Sequence, residues 1–272
     1  MKPANDSIDS CHNFSNHLIK IILDAGDFEE LKTKGAPVIP LKNGKTNKEM
    51  GWLRLWENHN DGTIDRLLHL WISNPAIGLD SNLISAFGKD AQAFPHLTCH
   101  YVSSPGGINS FHIDLLSRVD EILHPEYVDK VYRPLSPAFH EAKDTIGMWQ
   151  RTSEHQYLMS GWGLFGDQVA KEPFGKIQPI LEKYTQHYAD LAKNDFSYDE
   201  VDIETLVRRS KRQIGEIFNR KTDPDSYQIM DALVGSAITD RINNLHIHGA
   251  SESPEAYQAS TYTHKENIHF LN

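Results

Sequence analysis

Two runs decide how this chain folds: Phe94-Pro95-His96-Leu97-Thr98-Cys99-His100-Tyr101-Val102 and Ile108-Asn109-Ser110-Phe111-His112-Ile113-Asp114-Leu115-Leu116. Both are short, largely apolar and enriched in β-branched or aromatic side chains, the composition of strands. Between them stands Ser103-Ser104-Pro105-Gly106-Gly107. That is turn chemistry, and it is too brief to contain a crossover helix. The spacing therefore predicts an antiparallel pair.

Working outward towards the N-terminus, segments 52–56, 64–72 and 82–87 have the same character. Their connections carry Asn60-Asp61-Gly62, Asn74-Pro75 and Gly88-Lys89-Asp90, so the region reads as a meander. Ahead of it, Phe14, Leu18, Ile21, Ile22 and Phe28 recur at helical spacing, which predicts a helix over 13–32 closed by Gly35 and Pro37. A loop rich in Gly, Lys and Asn follows over 40–50. Beyond His124-Pro125 the period is helical again. One stripe runs from Ile177 to Leu191, a second from Ile203 to Phe218 and a third from Ile229 to Leu245. A helix, a block of strands and a block of helices predict a central antiparallel sheet with helices packed on it. No shift of composition divides the chain, so 1–272 is expected to form a single domain.

The bulk composition excludes several functions. A net charge of −10 over 272 residues argues against a general binder of nucleic acid or anionic membranes, both of which need a basic surface. Arg208, Arg209, Lys211 and Arg212, followed by Arg220 and Lys221, form a basic island in this acidic chain. Such an island is either a solvated helix face or a docking patch for a small acidic partner. Cys11 and Cys99, the only cysteines, are too few and too far apart for an iron–sulfur cluster, a structural zinc site or a disulfide framework. The polar start of the chain has no apolar signal region, and no segment is apolar enough to span a bilayer. A soluble, cytoplasmic protein is expected.

Gly161, Gly163 and Gly166 spell G-x-G-x-x-G. That motif binds a dinucleotide only where it joins a buried parallel strand to a helix. The residues before it do not read as such a strand, so a turn around Trp162 and Phe165 is expected instead. The 15 histidines include His96 with His100, His112 beside Asp114, and His246 with His248. Alternate side chains of a strand share a face, yet no zinc-enzyme signature accompanies them and no metal is expected. His100, His112 and Asp114 are more informative, because they interrupt apolar strands where unpartnered polar groups are costly. They are candidates for proton transfer at a cleft beside the sheet. A paired structural Asp and His would give the same pattern.

The runs from Phe94 to Val102 and from Ile108 to Asp120 resemble the ferredoxin-dependent bilin reductases and their relative, red chlorophyll catabolite reductase. The continuation Ile122-Leu123-His124-Pro125-Glu126-Tyr127-Val128 is similar to the chlorophyll-catabolite branch in particular. A second stretch resembles the bilin reductases' C-terminal Asp-Pro segment and the helix after it. It comprises Arg220-Lys221-Thr222-Asp223-Pro224, then Leu233-Val234-Gly235 and Thr239-Asp240-Arg241-Ile242.

The resemblance implies an α/β/α sandwich, three layers with the bilin held between the sheet and the C-terminal helices. It implies reduction of a linear tetrapyrrole such as biliverdin, with single electrons from ferredoxin or flavodoxin passing through bilin radicals and no cofactor bound by the enzyme itself. The family's central-strand carboxylate falls at His100, a departure, though imidazole titrates near neutrality (about 6.5 when unperturbed) and can donate a proton. Its C-terminal aspartate is retained as Asp223, which followed by Pro224 also reads as a helix start. Asp114 matches a strand position and is a third catalytic candidate. His112 and Arg118 are candidates for contact with the substrate, Arg118 and the 208–212 run through the pigment's propionates or the electron donor. Keeping Asp223 while replacing the sheet carboxylate favours reduction of the A ring, giving a phytobilin. Red chlorophyll catabolite reduction and a carrier that does no chemistry stand as alternatives.

Overall fold

A computed structural model describes residues 5–58, 62–104, 108–146, 157–194 and 196–250. The meander is there and is longer than the apolar runs alone predict. Strands β1 (Phe28–Thr33), β2 (Ala36–Pro37), β3 (Ile39–Lys42), β4 (Glu49–Asn58), β5 (Ile64–Asn74), β6 (Leu79–Gly88), β7 (His96–Ser104), β8 (Ile108–Leu116) and β9 (Leu164–Val169) form one antiparallel sheet. Its order is β2-β1-β4-β5-β6-β7-β8-β9, with β3 also paired to β4. Short connections between β4 and β8 leave each strand no choice but to pair with its predecessor.

Helices cover both faces. Helix α1 (Asn5–Leu23), α2 (Pro125–Val131), α3 (Ser136–Ile146) and α4 (Lys171–Lys193) pack on one face. There Leu18, Ile19 and Ile22 of α1 and Ile177, Tyr184 and Tyr188 of α4 meet Leu67, Ile84, Leu97, Phe111 and Ile113 of the sheet. Helices α5 (Ile203–Ile217), α6 (Pro224–Val234) and α7 (Ser236–His248) cover the other. Their Ile214, Val234, Ile242 and Leu245 close over Leu53, Leu55, Leu68, Leu70 and Phe87. The result is a three-layer α/β/α sandwich. Among the described residues, no helix is long and apolar enough to cross a membrane.

The structure departs from the sequence expectations at four places. The first helix stops at Leu23, and Phe28 begins β1. The helical spacing of Phe28 is outweighed by pairing, which sets Leu31 opposite Leu55 in the buried sheet. Part of the expected loop 40–50 is the end of β3 and the start of β4. Between them the Asn43 side-chain oxygen accepts from the backbone N–H of Lys45 (3.0 Å) and Thr46 (2.8 Å), a local turn that aims β4 back along β3. The third helical stripe is two helices, broken where Gly235 takes φ +91°. Finally, β9 interrupts the helical half and joins the sheet beside β8.

Candidate active site

Antiparallel register sets one row of side chains across the face under α6 and α7. Leu53 lies opposite Leu70, Leu70 opposite Leu83, Leu83 opposite His100, His100 opposite His112 and His112 opposite Phe165. At the Leu53 end the row is buried, but at His100 and His112 the helices stand off and the side chains are half-buried. The gap is a cavity of about 310 Å³, within the range of small-molecule sites (roughly 300–1,000 Å³).

On the sheet wall, His100 Nε2 shares a 2.9 Å hydrogen bond with Ser81 Oγ, and His112 Nε2 a 3.3 Å bond with Thr98 Oγ1. A hydroxyl donates to a neutral ring nitrogen and accepts from a protonated one by rotating its hydrogen. Either imidazole thus keeps its partner in both protonation states, as a proton donor that must be recharged requires. The helix wall carries Asp223, Tyr227, Asn243 and His246. Asp223 is the N-cap of α6 and accepts from the Ser226 N–H at 3.2 Å. The Tyr227 hydroxyl donates to Asn243 Oδ1 at 2.6 Å, which ties α6 to α7. Buried His246 donates from Nδ1 to the Ile242 carbonyl (2.9 Å), so its lone pair is on Nε2, which has no hydrogen-bond partner among the described residues. Burial, helped by the nearby Arg66, pushes its pKa down to about 4 and keeps the ring neutral.

His100, His112 and Asp223, three of the residues singled out in the sequence, thus line one cavity. Asp114 and Arg118 do not. Asp114 is fully buried, and its two oxygens accept from the N–H (2.7 Å) and the hydroxyl (2.5 Å) of Ser160. Arg118 is fully buried as well, with its guanidinium donating to the carbonyls of Asp90 (2.9 Å) and Leu206 (3.0 Å). It fastens α5 to the turn after β6 and offers nothing to a ligand in the cavity. His96 is held neutral by burial, and it accepts from the Gly88 N–H while its other nitrogen faces Ser210, which donates to Asp90. That chain of bonds ends at half-buried Asp90, and none of its members lines the cavity. Of the basic island, Arg208, Lys211 and Arg212 are exposed on α5, Arg209 donates to the Ser117 carbonyl, and Arg220 is bound by Asp231 (2.8 Å) and Asp240 (2.6 Å). Of the G-x-G-x-x-G glycines, Gly161 and Gly163 precede β9 while Gly166 lies within it, so the expected turn includes Trp162 but not Phe165, which is a strand residue. A Cβ on Gly166 would meet the Phe111 ring at 2.4 Å, so close strand approach accounts for it.

Sequence reasoning missed Tyr227 and Asn243, and weighed His246 only beside His248 as a possible metal ligand. The available signal was Thr239, Asn243 and His246 at spacings of four and three within an otherwise apolar stripe, which places them on one face of a helix.

No family model matches the chain, and no curated protein sequence does. Among solved structures it resembles phytochromobilin synthase from tomato in complex with biliverdin, with a TM-score of 0.69 and 15% identity over 87% of this chain and 82% of that one. The chain has the fold of phytochromobilin synthase. At that identity the backbone arrangement is shared while most side chains differ. Its coverage exceeds what the sheet alone supplies, so the likeness extends into the helices.

Proposed function

We propose that this protein reduces a linear tetrapyrrole, with biliverdin the substrate to try first, using electrons delivered singly by a ferredoxin or flavodoxin. The observation that carries this reading is the meeting of His100 and Asp223 on opposite walls of one cavity. They belong to distant parts of the sequence and to the two stretches that resemble bilin reductases. A fold shared with a structure holding biliverdin supports the choice of pigment.

In this reading two electrons and two protons are added across one double bond of the conjugated pigment, and two ferredoxins are oxidised. Each electron makes the pigment more basic, so a proton donor on each wall draws the reaction forward. His100 protonates from the sheet side and Asp223 from the helix side, while His112 and the apolar wall hold the pigment against the sheet. No cofactor is required of the protein. Retention of Asp223 favours the A ring as the site of reduction. The exposed Arg208, Lys211 and Arg212 suit an acidic electron donor, and the helix bearing them ends at Ile217, itself a cavity residue.

Titration with biliverdin followed by reduced ferredoxin tests the reading. A reductase first shifts the pigment's absorption and then bleaches or re-colours it on reduction. A carrier shows the shift alone, and a pigment spectrum indifferent to the protein contradicts both. Red chlorophyll catabolite, favoured by the 122–128 segment, is the second substrate to assay.

A further inference from the structure

The sequence makes Asp114 a candidate proton donor, yet its surroundings give it different work. The segment over 157–163 runs into β9 along the β8 edge of the sheet and touches both helical layers. Its Leu158 and Met159 form part of the cavity wall. Its Trp162 belongs to the opposite layer. There the indole stacks on Tyr132 (ring centroids 5.1 Å apart), donates from Nε1 to Ser136 Oγ (3.1 Å), and its carbonyl accepts from the Tyr184 hydroxyl (2.7 Å). Between these two attachments stands Ser160, with its N–H and hydroxyl both on the Asp114 carboxylate.

Bonds to an ionised carboxylate are roughly twice as strong as neutral ones, and a buried carboxylate deprived of its donors is heavily penalised. The approach is also shaped at Gly163, where a Cβ would lie 2.6 Å from Met159 Cε and 3.0 Å from Asp114 Cγ. The third position of the G-x-G-x-x-G run is thereby explained by closeness to Asp114. Along β8, Asp114 is two residues from His112, so the clamp fixes the segment beside the sheet wall of the cavity.

We propose that Asp114 is a positioning residue that clamps Ser160, so that Leu158 and Met159 form a fixed wall of the pigment site. The clamp is a property of the ligand-free protein. Its consequence for the pigment rests on the proposed function.

Four proteins decide it: the unaltered chain, Asp114→Asn, Ser160→Ala and the double variant, each first checked for cooperative unfolding. In ligand-free protein, both single variants are expected to accelerate amide hydrogen exchange over 158–163. With biliverdin, each is expected to weaken binding about tenfold and to shift the bound pigment's absorption band in the same direction, while kcat stays within about twofold. The double variant is expected to bind no more weakly than Asp114→Asn alone, because the hydroxyl bond that Ser160→Ala removes ends on the carboxylate that Asp114→Asn already alters. If Ser160→Ala behaves as the unaltered chain while Asp114→Asn binds pigment normally but no longer reduces it, Asp114 is a proton donor and the proposal is overturned. If no protein binds the pigment, the proposed function fails separately. Hydrogen exchange then decides the clamp by itself, and unchanged exchange in both variants overturns it. Should Asp114→Asn not fold, Ser160→Ala still gives a result on both readouts.

Discussion

Of the two proposed proton donors only Asp223 also holds a helix end, which lets its proposed chemistry be told from its architecture. Asp223 caps α6 as well as facing the cavity. Asn caps a helix about as well as Asp does, so Asp223→Asn should leave stability in urea within about 0.5 kcal/mol of the unaltered chain. Asp223→Ala should lose about 1 kcal/mol more. In a single-turnover reaction Asp223→Asn should stall once a pigment radical has formed. Full product at the normal rate would make Asp223 a capping residue only. His100→Gln keeps a partner for Ser81 and removes the titrating group, so it should slow the reaction without changing the product. The pairing of these two side chains was legible in the sequence through the two family-like stretches. The separate fates of Asp114 and Arg118 were not. What occupies a buried polar group is decided by residues far along the chain, Ser160 for one and Asp90 and Leu206 for the other.

At the level of elements, the sequence revealed strands whose neighbours are local and misplaced those whose pairing is distant. The pair β7–β8 was read directly because its turn lies between its two strands. β9 was missed because its partner β8 lies far upstream, separated from it by α2 and α3. The division of the last stripe into α6 and α7 rests on one backbone angle that apolar periodicity does not report. Gly235 has φ +91° and ψ 147°, a region nearly restricted to glycine, so Gly235→Ala should destabilise by about 1–3 kcal/mol. It should also weaken biliverdin binding, since Thr239, Asn243 and His246 follow on α7. Unaltered urea unfolding would contradict that account of the break. Helix α5 permits a separate test, because Arg208, Lys211 and Arg212 are exposed. Reversing all three charges should slow ferredoxin-driven turnover several-fold and leave biliverdin affinity unchanged. Salt should slow the unaltered protein likewise, as exposed charges are screened beyond about 8 Å at physiological ionic strength. Unchanged turnover would locate donor docking elsewhere.

Over the whole molecule, the sandwich buries imidazoles in their neutral form. Burial lowers His69 to about 3, His246 to about 4 and His96 well below its ordinary value. Above about pH 6.5 these rings are neutral in the folded and unfolded chain alike. Below it the unfolded chain takes up protons that the folded chain refuses, so stability falls with pH until the folded values are reached. Each such histidine contributes a slope of up to about 1.4 kcal/mol per pH unit in that window. The urea midpoint should therefore drop steadily between pH 7 and pH 5, and His246→Gln should flatten the profile. A midpoint that rises on acidification would contradict the burial described here.

The proposed reduction of a linear tetrapyrrole takes place in the cavity between the sheet and the C-terminal helices. Anaerobic mixing of equimolar protein and biliverdin with reduced ferredoxin, followed by absorption and by chromatography of the products, tests it most directly. A transient radical spectrum and then a single two-electron product, with the A ring reduced, are expected. Biliverdin recovered unchanged, in the presence of active ferredoxin and folded protein, would contradict it.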